Sequence, residues 1–468
     1  MALTERQKIA HLLRRFGFGA SEAELDYYSQ GGLLGAIKKL LNFEAAGPMP
    51  NFEPQNFMSE KLKGGPRLPH VQIWWLLTMC STRRPLEEKL TLFWHHHFAT
   101  AAMKVDVPVV MYRQNTIIRK HCLGKFQDLL LNLSKDPAML YWLDNQFNVK
   151  GKPNENFARE IMELFTLGIG HYSEEDVQEA ARAFTGWTYG VGRRLQDKPR
   201  PVSTFQFRRE LHDDGTKSIL GNKGKFDGED VCGILTGHPE TAKFIARKMW
   251  EFFAYLKPED ALVDRLAKTF RDSGLQIRTL VQAIMESPEF YSEKCYRRAY
   301  KNPVEFCVAT FRQLGIGGAL GKQMEQAASE DSSAGVRRTV AGAALQPMLR
   351  STIAMGMEVL NPPDVAGWKL GPDWISSATM VERMKWADIV FGPRSRFQVL
   401  PLLGSDEPTE LVKFLCSVLD VEFPSAKLKQ LDEAAVKAAG TRLTPANANK
   451  SALAVARLIF GSPEFQFC

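Results

Sequence analysis

Apolar residues recur at the spacing of an α-helix through most of this 468-residue chain. Thr4 can cap a first helix that extends through Leu13, and Ser21 with Glu24 has the spacing of a capping box for the next one. Similar amphipathic segments fill the C-terminal half of the chain. This pattern predicts a mainly α protein, a large helical bundle-like domain with a single core.

One segment, 188–228, departs from the helical pattern. It is rich in Gly and Pro, its residues Thr204–Arg208 alternate between polar and apolar, and Asp214-Gly215 is a turn sequence. We therefore predict a small β-hairpin insertion in a helical domain that covers 1–468. The Ser-rich stretch 329–335 is the best candidate for an internal linker.

The composition excludes several classes of protein. At 44% hydrophobic and 24% charged residues, the chain resembles an ordinary globular protein. The net charge of +7 is spread without a dense Lys/Arg block, so we expect no nucleic-acid partner. No apolar run approaches the roughly 18 residues of a spanning helix, so we also expect no membrane span.

The cysteines and the N-terminal residues indicate a compartment. The seven cysteines are scattered and never form a Cys-x-x-Cys pair, which argues against a disulfide framework or a structural zinc site. The first residues lack the apolar core of a signal peptide. We expect a cytoplasmic protein, or a secreted or periplasmic one if a leader has been removed.

The segment Phe93–Phe98 contains three consecutive histidines, His95, His96 and His97, inside a predicted helix. Successive residues on a helix point about 100° apart, so the three imidazoles cannot all bind one metal ion. They can instead hydrogen-bond neighbouring helices as neutral groups and fix packing. If one of them has a ligand or acid–base role, we expect His95 to face the site.

A second candidate is the amphipathic helix predicted near residues 154–165. Its polar side carries Arg159, Glu160 and Glu163. These charges can form ion pairs on a solvated surface. Alternatively, the two glutamates face a cleft as paired carboxylates, as in metal or acid–base sites of helical bundles. Taken alone, the pattern favours the solvated surface.

Two loops add further candidates. His212 and Asp213 precede an Asp-Gly turn, where they can coordinate a divalent ion, although the sequence is also ordinary turn chemistry. The Pro-rich loop that carries Trp368 and Trp374 suits a stacked sugar and a packed lid equally well. The chain lacks the motifs of the commonest nucleotide-binding proteins, serine hydrolases and zinc peptidases.

Taken together, these segments resemble the bacterial domain-of-unknown-function family eighteen hundred, also described as an uncharacterised conserved protein. The resemblance extends over nearly the whole chain, and its motifs are specific in combination. They are His11–Gly19, Phe93–Phe98, Glu155–Glu160, Glu163–Gly168, Ala183–Trp187, His212–Asp213, His238–Ala242, Asn302–Pro303 and Asn361–Trp368.

The resemblance implies a single domain built around one shared site. The family pattern Phe-Trp-His-x-His-Phe implies roles for His95 and His97, with His96 at the variable position. Many relatives look secreted, and they are often encoded beside a family that resembles sulfatases and alkaline phosphatases. That neighbourhood suggests a shared anionic or glycan substrate. Further residues that match the family are Arg159, Glu160, Glu163, Thr185, Gly186, Trp187, His212 and Asp213.

We therefore expect a hydrolase that acts on a saccharide or an ester-bearing polymer, with a divalent metal ion as candidate cofactor. The expected metal ligands are His95, His97, His212 and Asp213. The expected catalytic residues are Glu160, Glu163, Asp213 and His95. The expected substrate-binding residues are Arg159, Trp187, Trp368 and Trp374.

Two alternatives stay open. One is a non-catalytic helical scaffold that binds a glycan or a sulfatase- or phosphatase-like partner enzyme. The other is a metal-free glycosidase that uses Glu160 or Glu163 together with Asp213, which requires two carboxyl groups across an open cleft.

Overall fold

The computed structural model describes residues 3–58, 65–191, 201–329, 344–395 and 397–468. Over these residues the protein is mainly α-helical, which confirms the predicted fold class. Of the predicted linker 329–335, only Ser329 lies within the described residues, as the last residue of a helix. None of the helices in these ranges is both long and apolar enough to cross a membrane.

The helices of the first half are α1 (Glu5–Phe16), α2 (Glu22–Ser29), α3 (Gly32–Leu41), α4 (Leu68–Ser81), α5 (Pro85–His97), α6 (Ala102–Val105), α7 (Pro108–His121), α8 (Phe126–Ser134), α9 (Pro137–Trp142), α10 (Asn156–Glu163) and α11 (Glu174–Ala183). Those of the second half are α12 (Gly228–Gly237), α13 (Pro239–Phe253), α14 (Asp260–Asp272), α15 (Ile277–Glu286), α16 (Pro303–Gln313), α17 (Ile316–Ser329), α18 (Gln346–Ala354), α19 (Ser377–Phe391), α20 (Pro408–Val418), α21 (Ser425–Ala439), α22 (Ala448–Gly461) and α23 (Pro463–Gln466).

The predicted helix starts are formed by side-chain caps. The Thr4 hydroxyl accepts the backbone N–H of Gln7 at 3.2 Å, and the Ser21 hydroxyl accepts that of Glu24 at 3.3 Å. Each cap satisfies a backbone donor that has no partner within the first turn of its helix. Both caps are therefore confirmed.

The β insertion contains two hairpins. Strand β1 (Trp187–Val191) pairs antiparallel with β2 (Pro201–Phe207), and β3 (Lys217–Ile219) pairs antiparallel with β4 (Asn222–Gly224). The alternating segment forms β2 and pairs back to β1, so the Asp214-Gly215 turn does not connect its partner strand. That turn instead leads into β3.

The buried apolar side chains group into two clusters and not into the single core that the helical pattern predicts. The first contains side chains of α1, α3 and α8 to α15, and the second contains side chains of α4, α16 and α18 to α23. Tyr141 and Trp142 pack against both clusters. Helix α5 contributes Phe93 and Trp94 to the first cluster and Leu92 to the second, so it lies between them.

Helix α5 is unusual because 12 of its 13 residues are buried. Its buried residues include Glu87, Glu88 and Lys89 near its start and histidines at its end. A buried charge or imidazole destabilises the fold unless it has an internal partner. The polar side chains of α5 therefore determine which other parts of the chain must meet around it.

Candidate functional site

The histidine run occupies the last turn of α5 and not its middle, since the helix ends at His97. His95 Nε2 accepts the backbone N–H of Leu360 at 3.1 Å. His96 Nδ1 accepts the backbone N–H of Trp368 at 3.1 Å. Both histidines therefore fasten the Pro- and Trp-rich loop to the end of α5.

His97 points elsewhere. Its Nε2 donates a hydrogen bond to the backbone carbonyl oxygen of Phe165, 3.1 Å away in the segment that follows α10. The three imidazoles thus meet three different backbone groups, as the rotation of about 100° per residue requires. This arrangement agrees with the packing interpretation of the run.

Burial determines the charge state of these histidines. It lowers the pKa of His95 to about 3 and, together with the Lys248 ammonium, that of His96 to about 3. The ring of His95, which we expected to face the site, lies edge-on to Trp75 and Trp368 with centroids 5.4 and 5.6 Å away. His95 is therefore a neutral hydrogen-bond acceptor inside the core.

His212 and Asp213 belong to the β insertion. His212 Nδ1 donates to the carbonyl oxygen of Thr185 at 3.0 Å. Asp213 Oδ2 accepts from Arg182 Nε at 2.8 Å, and Oδ1 accepts the backbone N–H of Gly215 at 2.8 Å. These bonds connect the insertion to the end of α11, and the Arg182 guanidinium lowers the pKa of Asp213 to about 2.

The four predicted metal ligands do not converge. Across the described ranges, no three His, Cys, Asp or Glu side chains are grouped so that they could hold a metal ion. His95 and His97 point to different backbone groups, and His212 and Asp213 are hydrogen-bonded within and beside the insertion. The shared metal site expected from the sequence is therefore not formed by these residues.

The polar side of α10 forms ion pairs with α11. Arg159 contacts Glu174 at 2.7 Å and Glu155 at 3.1 Å, and the Tyr172 hydroxyl donates to Glu163. The Glu160 carboxyl is half-buried, and burial together with the neighbouring Glu163 raises its pKa. Arg159 thus links α10 to α11, and Glu163 contacts the segment that connects them, as the solvated-surface interpretation predicts.

We expect the Asp213→Asn substitution to lower the free energy of unfolding by about 1–2 kcal/mol at pH 7, because it removes a charge-assisted pair with Arg182. The folded pKa of about 2 lies below the usual Asp value, so this stabilisation is present above about pH 4 and is lost as the pH falls toward 2. Urea unfolding at several pH values measures it. The exposed neighbour gives a matched control, Asp214→Asn. An equal effect of both substitutions would contradict the assigned pair.

A pocket with a volume of about 180 Å³ opens where the two core clusters meet. We call it the junction pocket. Phe252 of the first cluster and Trp374 of the second both line it, and Tyr255 and Tyr300 complete its aromatic walls. Trp374 is thus the one predicted substrate-binding residue that lines this pocket. Trp187 and Trp368 are buried in ring contacts elsewhere.

Two buried charged side chains, Arg15 and Glu305, also line the junction pocket. Arg15 of α1 donates through Nε and Nη2 to the carbonyl oxygens of Phe253 and Phe252, at 2.9 and 2.7 Å. These bonds use carbonyl groups at the end of α13, where the helix leaves them without partners. Arg15 thereby fixes the wall of the pocket that contains Phe252.

Glu305 forms an ion pair with the fully buried Lys89 of α5. Its second oxygen, Oε2, accepts the backbone N–H of Asn302 at 2.9 Å in the capping box of α16. Although burial opposes ionisation, the Lys89 ammonium and the Arg15 guanidinium outweigh it and hold the pKa of Glu305 below its usual range. The pocket therefore contains an ionised carboxylate at its buried end.

The pocket has three further charged residues nearer to solvent. Glu251 accepts the backbone N–H of Lys257 at 3.2 Å, and Lys294 pairs with Glu259 at 2.6 Å. Arg298 is exposed at the rim. With its aromatic walls and its charges of both signs, this pocket can hold a polar ring and contact an acidic substituent.

No sequence motif assigns Arg15, Lys89, Glu251 or Glu305 to a site. Lys89 and Glu305 are 216 positions apart, so no local pattern connects them. One signal was present, since Glu87-Glu88-Lys89 lies directly before the mainly apolar residues 90–94 of the same helix. Charged residues within a buried helix indicate that the fold supplies buried partners for them. The sequence does not identify those partners.

The fold and the pocket define a helical protein with a solvent-open pocket beside a buried ion pair. The family model described as Protein of unknown function (DUF1800) matches residues 11–467, so the chain belongs to this family. This match confirms the resemblance found in the sequence. No curated protein and no solved structure matches the chain.

Proposed function

We propose that the protein is a hydrolase that acts on a saccharide bound in the junction pocket. One observation carries the proposal: two carboxylates in different surroundings, Glu251 and Glu305, line one aromatic-walled pocket that is open to solvent. Glycosidases use two carboxyl groups whose surroundings give one the role of acid and the other that of base or nucleophile.

The pocket walls support a saccharide as the ligand. Tyr255, Tyr300 and Trp374 offer apolar ring faces of the kind on which sugar rings stack, and two of them add a hydroxyl group. Lys294 and Arg298 near the opening would favour a sugar that carries a carboxylate or sulfate group. Such a substrate also suits joint action with a sulfatase- or phosphatase-like partner enzyme, as expected from the family resemblance.

The surroundings of Glu305 suggest its role, and Glu251, the other carboxyl group of the pocket, is assigned the complementary role. Glu305 is held ionised by Lys89, so it is assigned as the general base. In the proposed step, Glu305 takes a proton from a water molecule whose oxygen attacks the anomeric carbon. Glu251 gives a proton to the departing glycosidic oxygen, and exchange with solvent restores both groups.

A non-catalytic saccharide-binding protein is the second candidate. Both oxygens of Glu305 already accept hydrogen bonds, one from Lys89 and one from the Asn302 backbone. A carboxylate with these partners can shape a binding pocket without transferring a proton. The two candidates differ in whether bound saccharide is cleaved.

The test measures release of reducing ends from uronic-acid-containing and sulfated polysaccharides. We expect Glu251→Gln and the double variant Lys89→Met/Glu305→Gln to lose at least about 100-fold in activity, which is the usual effect of removing an acid–base group. The double variant removes the carboxylate without leaving a buried ammonium unpaired. Glu382→Gln is the matched control, since Glu382 pairs with Lys385 on the surface of α19.

Two results would overturn the proposed reaction. One is binding of oligosaccharide by calorimetry without release of reducing ends, which supports the non-catalytic candidate. The other is activity that survives in both pocket variants but disappears in Glu160→Gln, which would place the chemistry on the α10–α11 surface.

A further inference from the structure

Helix α13 places a lysine opposite the histidine run of α5. Phe244, Lys248 and Phe252 are four positions apart, so they lie along one face of α13. The Phe244 ring contacts that of His97, with centroids 6.2 Å apart. The Phe252 ring contacts that of His96 at the same centroid distance, 6.2 Å. Lys248 lies between these two contacts, so it faces the end of α5, and its charge acts on both histidines.

Lys248 is a half-buried amine without a counter-charge. Its ammonium lies 5.0 Å from the centroid of the Phe244 ring. None of the described residues forms an ion pair with it. Glu251, one turn further along α13, acts on the amine only through its more distant charge, and its carboxylate accepts the backbone N–H of Lys257. The burial of this amine is therefore not offset by a direct ion pair.

The groups of α5 that face Lys248 are uncharged. Burial lowers the pKa of His96 and of His97, so both imidazoles are neutral. His96 Nδ1 accepts the backbone N–H of Trp368, so its hydrogen is on Nε2. This N–H has no acceptor among the described residues, and the His96 side chain is only half-buried. It can donate to the oxygen of a carbonyl compound that meets the Lys248 amine.

These surroundings favour the neutral form of the amine, which is the nucleophilic form. Burial lowers the pKa of Lys248 to about 8, although the charge of Glu251 opposes this shift. The same helix carries a lysine in the opposite condition. Lys243 is exposed enough to reach solvent and pairs with Asp264 at 3.0 Å, and this pair raises its pKa. At neutral pH, Lys248 therefore has a much larger neutral fraction than Lys243.

We propose that Lys248 is a modification site for small aldehydes, with which it forms an imine. The amine nitrogen attacks the carbonyl carbon and forms a C–N bond. The two amine hydrogens then leave with the carbonyl oxygen as water, which gives the C=N bond. Addition of water reverses the reaction, so it needs neither an oxidant nor a reductant. Lys248 does not line the junction pocket, so this site is independent of the proposed hydrolysis.

Reductive trapping on the full chain tests this site. The protein is incubated at pH 7.5 with acetaldehyde and sodium cyanoborohydride, which reduces an imine to a stable N-ethyl lysine, and peptide mass mapping follows each lysine over time. We expect Lys248 to be ethylated at least about 10-fold faster than Lys243. Both lysines are read in one folded wild-type chain, so this comparison does not depend on whether a variant folds.

Two further measurements show that the fold produces this reactivity. In the urea-unfolded chain, Lys248 and Lys243 should react at the same rate, because the surroundings of both are lost. Lys248→Arg keeps the positive charge and should remove the fast-reacting lysine, and the matched control Lys243→Arg should retain it. The proposal is overturned if Lys248 reacts no faster than Lys243 in the folded protein, or if its faster reaction persists in urea.

Discussion

Replacing Lys89 with methionine is expected to lower the free energy of unfolding by about 3–5 kcal/mol. Lys89 is fully buried and pairs with Glu305, so the substitution leaves an ionised carboxylate without its counter-charge in the core. Methionine has nearly the same volume and keeps the apolar contacts of the lysine stem. Urea denaturation at pH 7 measures the change.

Two further variants show whether this loss of stability comes from the unpaired Glu305 carboxylate. The double variant Lys89→Met/Glu305→Gln should recover most of the lost stability, because it removes both charges together. Lys385→Met breaks a surface pair with Glu382 and should cost about 0.5 kcal/mol or less. A loss below about 1 kcal/mol for Lys89→Met would mean that the pair is hydrated in solution.

The second large effect concerns the acid stability of the protein. The pKa of His95 is about 3 when folded and about 6.5 when unfolded, so the unfolded state binds the extra proton between these values. The stabilisation by neutral His95 is therefore complete above about pH 6.5 and is lost as the pH falls toward 3. Over that range it falls by about 1.4 kcal/mol per pH unit.

The His95→Gln variant isolates this term, because the Gln carbonyl oxygen can accept the Leu360 N–H and does not titrate. We expect the stability of wild type minus that of the variant to fall by about 2–3 kcal/mol between pH 7.5 and 4.5. Urea denaturation across this range measures it. His70→Gln is the comparison, with a smaller change expected because His70 is less deeply buried. A difference that does not change with pH would mean that His95 is solvated in the folded protein.

The helical fold and the geometry of the histidine run could be predicted from the sequence because both are local. Helix caps depend on residues three positions apart, and the directions of His95 to His97 follow from the rotation per residue. The identity of each histidine partner was not predictable. Leu360 lies 265 positions from His95, and Phe165 lies 68 positions from His97.

The junction pocket could not be predicted for the same reason. The pocket is lined by Arg15 of α1, Phe252 of α13, Glu305 of α16 and Trp374 of a late loop. Only the packing of the two core clusters brings these residues together. The sequence motifs did contain Arg15, as the second residue of an Arg-Arg pair. An arginine beside the apolar face of a helix is equally consistent with a cation on the protein surface. The sequence pattern alone therefore does not assign Arg15 to a site.

We propose the junction pocket as the place where a saccharide binds. The most direct measurement is a crystal structure of the Glu251→Gln variant soaked with an acidic oligosaccharide that the wild type cleaves or binds. We expect a sugar ring against Trp374 and Tyr255, with Glu305 at the buried end of the occupied pocket. Density against Glu160 and Arg159 on the α10–α11 surface, with the junction pocket unoccupied, would contradict it.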